Sequence, residues 1–246
     1  MGYLHLLLCA VFLIPYFLLG FLYSVILWII GRKDPDRKRT LSCRYLSIAA
    51  KGVLFLSGIK VTVIGRERVP EGTAILYTAN HRSMFDAVVA LKCFPDTFAP
   101  IAKLSLLKVP VLGWWMKKAG CLFLDREDIR KGAQMVNDAV DDIKKGVSVL
   151  IFPEGTRNRE EGTLLPFHGG SFKIAIRSGA PVVPVTIVNT GEIFEGHIPS
   201  IWSRHVIVEF GEPIYTEKMP VPERKALPDR VRHVMQETYE RNVKLI

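Results

Sequence analysis

The stretch TAILYTANHRSMFDAVVALKCF, Thr73 to Phe94, points to a mixed α/β chain, because it passes from one kind of secondary structure to another. Thr73–Ala79 is an apolar run of strand length, and SMFDAVVALKCF reads as a helix. Between them stands the polar quartet Asn80–Ser83, so a strand-to-helix junction carries a histidine, His81, and five residues later an aspartate, Asp86. Five residues along a regular helix turn about 500°, which sets two side chains well apart around its axis. His81 and Asp86 therefore meet only with the histidine in the turn ahead of the helix and the aspartate in its first turns. Junctions of this kind often hold active sites.

Outward from that stretch the alternation continues. Strand-like runs are IKVTVIG, TAILYTA, TFAPIA, CLFLD, VSVLIFP, PVVPVTIV and HVIVEFG, and helix-like runs fall near residues 84–94, 110–119, 129–145, 171–178 and 229–243. The pattern predicts an α/β fold with a largely parallel central sheet flanked by helices. His81 then follows the second strand, Lys103 the third, Arg126 the fourth, and the turn Glu154–Arg157 the fifth. Parallel strands would bring all of these to one carboxyl edge, where open α/β sheets build their sites. In FPEGTRNR, Phe152–Arg159, Pro153 and Gly155 force a turn that presents Glu154, Thr156 and Arg157 together, a set suited to a phosphate or polyol.

The beginning of the chain is of another character. From Leu6 to Ile30 no residue is charged, which is long enough for a membrane-embedded helix. GRKDPDRKR follows with five basic residues, which the positive-inside rule puts on the cytoplasmic side. Arg37, Arg44 and Lys51 then recur every seven residues, with Leu41, Tyr45, Ile48, Ala49, Val53 and Leu56 expected largely on the other face of an amphipathic helix. Two embeddings follow, a single span or a hairpin turning at Gly31–Pro35. The hairpin is preferred, because helix packing accommodates Pro15 and Gly20. Residues 1–57 are thus read as a membrane-associated segment and 58–246 as the α/β domain. The 33 Lys and Arg against 24 Asp and Glu give a formal charge of +9, which favours acidic partners. Nucleic acid fits that charge but has no motif here, and the basic residues concentrate beside the apolar segment. The four scattered cysteines suggest neither a zinc site nor a disulfide framework, and a reducing compartment is the simplest reading.

Four blocks in order, NHRSMFD, GCLFLDR (Gly120–Arg126), FPEGTR and VVPV (Val182–Val185), resemble those of the glycerolipid acyltransferases, specifically the bacterial 1-acylglycerol-3-phosphate acyltransferase family. The resemblance covers about residues 60–210. It implies acyl transfer from an acyl carrier protein or coenzyme A thioester to the free hydroxyl of lysophosphatidic acid, at the cytoplasmic face of the inner membrane. It makes His81 the catalytic base, Asp86 its partner, Glu154 and Arg157 acceptor-binding residues and Arg126 a further acceptor-side group. Lys103 joins the phosphate-holding set by its place at the shared edge, and Gly155 and Thr156 by theirs in the turn. No metal or redox cofactor is called for. Related acyltransferases using glycerol 3-phosphate or a lyso-aminolipid are the alternatives. A lipid hydrolase is the other class, suggested by HGGS at His168–Ser171 but without a nucleophile elbow.

Overall fold

Short, mostly apolar runs become the strands, and α-helices fill most of the segments between them, the first two strands and the last two being joined by turns. The computed structural model describes residues 1–126 and 128–246. Helices α1 (Gly2–Gly31) and α2 (Pro35–Leu56) lead into β1 (Lys60–Ile64), β2 (Leu76–Ala79), α3 (Phe85–Cys93) and β3 (Phe98–Lys103). The chain continues through α4 (Leu112–Lys118), β4 (Leu122–Leu124), α5 (Ile129–Lys144), β5 (Ser148–Ile151), α6 (Gly169–Ser178), β6 (Val182–Val188), β7 (His205–Phe210) and α7 (Val221–Val243). The strands lie in the order β1-β7-β6-β2-β5-β3-β4. Strands β2 to β6 run parallel, β7 is antiparallel to β6, and β1 is parallel to β7.

Alternation along each central strand feeds two cores. Leu76, Val149, Ile151 and Val182 face a layer containing Met135, Ala139, Phe172, Ile174, Leu227 and Val231, which come from α5, α6 and α7. Tyr77, Leu150, Val183 and Val185 face the opposite layer with Phe85 and Val89 of α3 and Leu54 of α2. Such two-sided burial is what makes a parallel strand almost wholly apolar.

The sequence placed the last helix from Asp229, just beyond Pro228, but α7 begins at Val221 and runs through that proline. Leu227 and Val231, one turn apart on either side of Pro228, are both fully buried, and that packing outweighs the missing backbone hydrogen bond.

The two N-terminal helices pack antiparallel through aromatic rings. Tyr16 and Tyr45 stack with centroids 4.4 Å apart, the Tyr16 hydroxyl donates to the Tyr45 carbonyl at 2.7 Å, and the Tyr45 hydroxyl donates back to the Tyr16 carbonyl. Gly20 is needed here, because a Cβ at that position would come within 2.9 Å of the Trp115 ring. Both ends of the hairpin rest on the same α/β body. The Ile201 N–H donates to the Gly2 carbonyl at 3.2 Å, and Arg39 near the turn pairs with Asp142 of α5 at 3.1 Å. Cys9 and Leu54 belong to the core that covers one face of the sheet, so residues 1–57 share a core with the sheet.

Helix α1 is long and apolar enough to cross a membrane, and its outer face is bare. One expectation about α2 needs correcting. Arg37, Arg44 and Lys51 are exposed as read, but Ile48 shares their face instead of the opposite one and is 55% exposed, with Phe55 beyond it at 82%. Positions 44, 48, 51 and 55 follow the three-and-four spacing of one helical stripe, which the seven-residue count of the cations concealed.

Candidate active site

Asn80 closes β2 with its side chain. Its Nδ2 donates to the Ile187 carbonyl at 2.8 Å and its Oδ1 accepts the Ile187 N–H at 2.7 Å, so a side-chain amide continues the ladder to β6 as the main chain turns away. His81 comes next. Its N–H donates to Glu154 Oε1 at 2.7 Å, its carbonyl accepts the Asn158 N–H at 2.7 Å, and its ring stacks on Phe152 with centroids 4.1 Å apart. Three contacts from the turn after β5 thereby fix the histidine after β2, which neighbouring strands make possible.

The His81 ring presents Nδ1 to Asp86 Oδ2 at 2.8 Å. Asp86 lies in the first turn of α3, fully buried, and that same oxygen accepts the backbone N–H groups of Arg82 at 2.7 Å and Ser83 at 2.8 Å. Its other oxygen accepts the hydroxyl of Thr190, from the end of β6. A buried carboxylate is stable only with its lone pairs engaged, and here backbone, hydroxyl and imidazole donors all converge on it. The helix N-terminus adds a favourable dipole. With Nδ1 directed at Asp86, the tautomer carrying its proton there leaves the Nε2 lone pair free, on a side chain that is 21% exposed.

Glu154 departs from its expected place. It is 2% exposed, with Oε1 on the His81 N–H and Oε2 accepting the Leu165 N–H at 3.0 Å. Burial pushes its carboxyl above the usual carboxylate range, against the opposing pull of those two amides. Both oxygens of this enclosed carboxylate are turned inward onto main-chain amides, one of them that of His81.

Gly155 turns the chain with φ of 68°, and a Cβ there would meet the His168 ring at 2.9 Å. Thr156 and Arg157 are exposed beyond it. Arg157 is 48% exposed and its Nη1 donates to Glu195 Oε1 at 2.9 Å. Lys103 and Arg126 are exposed and lie at the same carboxyl edge, but β3 and β4 are two and three strands from β2, about 10 and 14 Å across the sheet. The four groups share an edge, and only the turn after β5 touches His81. HGGS opens α6, where the Ser171 N–H donates to the His168 carbonyl at 3.0 Å. Its serine lies inside a helix and not on a strand-to-helix elbow.

Thr190, Asn158, Phe152 and Glu195 went unread in the sequence. Asn158 belongs to FPEGTRNR, the same turn as Glu154. Thr190 and Glu195 are 104 and 109 residues from Asp86, and only the sheet order brings them in.

The span that carries the His81–Asp86 pair and the carboxyl edge of the parallel sheet is matched by the acyltransferase family model, over residues 60–188. A 1-acyl-sn-glycerol-3-phosphate acyltransferase of Saccharomyces cerevisiae is 31% identical over 221 residues, covering 89% of this chain and 71% of its own length. One of Borreliella burgdorferi is 33% identical over 168 residues, 68% of this chain and 64% of its own. The crystal structure of the 1-acyl-sn-glycerophosphate acyltransferase PlsC from Thermotoga maritima matches with a TM-score of 0.75 and 26% identity, covering 96% and 95% of the two chains. The chain belongs to the 1-acyl-sn-glycerol-3-phosphate acyltransferase family.

Proposed function

We propose that the protein moves an acyl group from a carrier-protein or coenzyme A thioester to the sn-2 hydroxyl of lysophosphatidic acid, giving phosphatidic acid. The observation that carries this reading is the His81–Asp86 pair with Nε2 left free, set in a chain of this family. An alcohol is a poor nucleophile at neutral pH, so a base must take its proton during attack. His81 Nε2 takes it, while Asp86 holds the tautomer and stabilises the imidazolium that forms. The hydroxyl oxygen bonds to the thioester carbon, the tetrahedral oxyanion collapses, and the thiolate leaves with the proton returned by His81. The acceptor is itself the nucleophile, so no serine is required.

The donors for the oxyanion lie outside the first motif turn. The N–H groups of His81, Arg82, Ser83, Met84 and Phe85 are held by Glu154, Asp86, Asp86, Glu195 and the Ser83 hydroxyl respectively. Arg157 binds the acceptor phosphate and sets the distance from hydroxyl to His81, while Lys103 and Arg126, two and three strands away, add to the positive field along the same edge. Gly155 and Thr156 shape that turn.

The bare face of α1 and the exposed mixture of Arg44, Ile48, Lys51 and Phe55 on α2 support membrane association, with the hairpin lying in the cytoplasmic interface and not crossing it. A helix of 30 residues is about 45 Å long, more than the hydrocarbon core needs, and both hairpin ends contact one body. Anionic lipid complements the +9 charge.

Purified protein given labelled acyl thioesters and a panel of lyso-acceptors tests the reaction. Preference for lysophosphatidic acid is expected, and equal transfer to acceptors without a phosphate monoester would overturn the acceptor assignment. Single cysteines at Tyr3 and Asp36 should react with an impermeant reagent from the same side of sealed vesicles. Labelling from opposite sides would make α1 a span.

A further inference from the structure

Arg157 and Glu195 form a contact whose two members are held very differently. Glu195, in the turn-rich segment between β6 and β7, is 24% exposed, and two further donors anchor it. The Met84 N–H donates to Oε1 at 2.8 Å and the Ser83 hydroxyl to Oε2 at 2.5 Å. Both donors belong to the turn that Asp86 fixes at the head of α3. Arg157 is half exposed at the end of a long side chain, and its guanidinium has five N–H donors, of which the Glu195 contact engages Nη1. The carboxylate is the fixed member and the guanidinium the movable one.

Transfer of an acyl group to a hydroxyl leaves the acceptor's phosphate unaltered. A site that gripped that phosphate with an uncommitted arginine would grip the product as firmly as the substrate. A carboxylate built beside the arginine lowers the affinity for both and gives the guanidinium a place to return to. We propose that Glu195 is the exchange partner of the acceptor phosphate at Arg157: it holds the guanidinium before the acceptor arrives, yields it to the phosphate, and takes it back as the product leaves. Glu195 acts through Arg157 and is thus a positioning residue; the inference rests on the assignment of Arg157 to the acceptor phosphate. The exchange breaks one ion pair and leaves Glu195 on Ser83 and Met84, so the turn carrying His81 and Asp86 stays in place throughout.

Glu195→Gln separates charge from shape, because the amide oxygen still accepts from Met84 and Arg157 and the amide nitrogen still meets the Ser83 hydroxyl. Calorimetric titration with inorganic phosphate should show about tenfold tighter binding to this variant than to wild type, the size of one charge-assisted contact. Glu195→Ala should tighten it similarly, and adding Arg157→Ala should cancel the gain. The apparent KM for lysophosphatidic acid and the inhibition constant for phosphatidic acid should fall by the same factor. Unchanged phosphate affinity in Glu195→Gln would reduce Glu195 to a helix cap and overturn the proposal. So would weaker binding in Glu195→Ala that Gln restores, since that is the signature of a group that only steadies Arg157. The phosphate titration needs no turnover. Tighter binding in Glu195→Gln by a protein that transfers nothing to lysophosphatidic acid would remove the proposed reaction and leave the exchange standing.

Discussion

The turn after β2 and the turn after β5 stand side by side at one sheet edge and are built on opposite principles. In the first, the backbone N–H groups from His81 to Phe85 all have side-chain partners, and Asp86 is sealed from solvent. In the second, Glu154 and Asn158 face inward to fix His81, while Thr156, Arg157 and Arg159 stand in solvent. In the proposed mechanism this difference separates groups that react from groups that hold. A base works only in one orientation, so its surroundings must be rigid before the substrate arrives. A binding arginine must let go, and exposure on a flexible stem permits that.

Substitutions test whether the two turns divide the work in this way, and the largest effects belong to the rigid turn. His81→Ala and Asp86→Asn should each lower kcat on the order of 10³- to 10⁴-fold with the fold kept, by loss of the base or of its tautomer. A folded His81→Ala protein with undiminished turnover would end the mechanism. Arg157→Ala should instead raise the acceptor's KM about 10- to 100-fold with a smaller change in kcat, because the phosphate contact exists in ground and transition states alike. A fall confined to kcat would move Arg157 into the rigid set.

Thr190→Val sharpens the contrast, since it removes one donor from Asp86 and touches no substrate. We expect about tenfold loss in kcat, equivalent to one buried hydrogen bond to a charged group, with KM for both substrates unchanged. The smallest effects should come from Lys103→Ala and Arg126→Ala, each at most about threefold in acceptor KM, because exposed cations two and three strands away act through solvent. Low-salt assays should enlarge those two effects and leave that of Thr190 unchanged.

The same division explains what the sequence disclosed. His81 and Asp86 are five residues apart, and the strand-to-helix transition between them was visible as a change of pattern, so local chemistry sufficed. The strands were legible as apolar runs because the central ones are buried on both faces. Strand order was not, since nothing in β2 names β5 and β6 as its neighbours. Glu154 was consequently read as a ligand, its motif being evident but its direction hidden. Thr190 and Glu195 carried no local signal, because an isolated threonine or glutamate in a loop is ordinary until the sheet brings it to the site. On α2 the seven-residue spacing of Arg37, Arg44 and Lys51 dominates the pattern, and Ile48 and Phe55 on the same stripe break its polarity without a periodic signal of their own.

The Phe152 ring lying over His81 gives that imidazole a spectroscopic address. An aromatic face at 4.1 Å shields the imidazole carbon-bound protons, so the His81 resonances should lie upfield among the six histidines of the chain. Among the described residues His197, stacked on Trp202 at 4.4 Å, is the other histidine with such a neighbour, and Phe152→Leu would shift one signal and spare the other. Proton resonance can thereby follow the His81 ring itself, without turnover, as lipid or thioester is added.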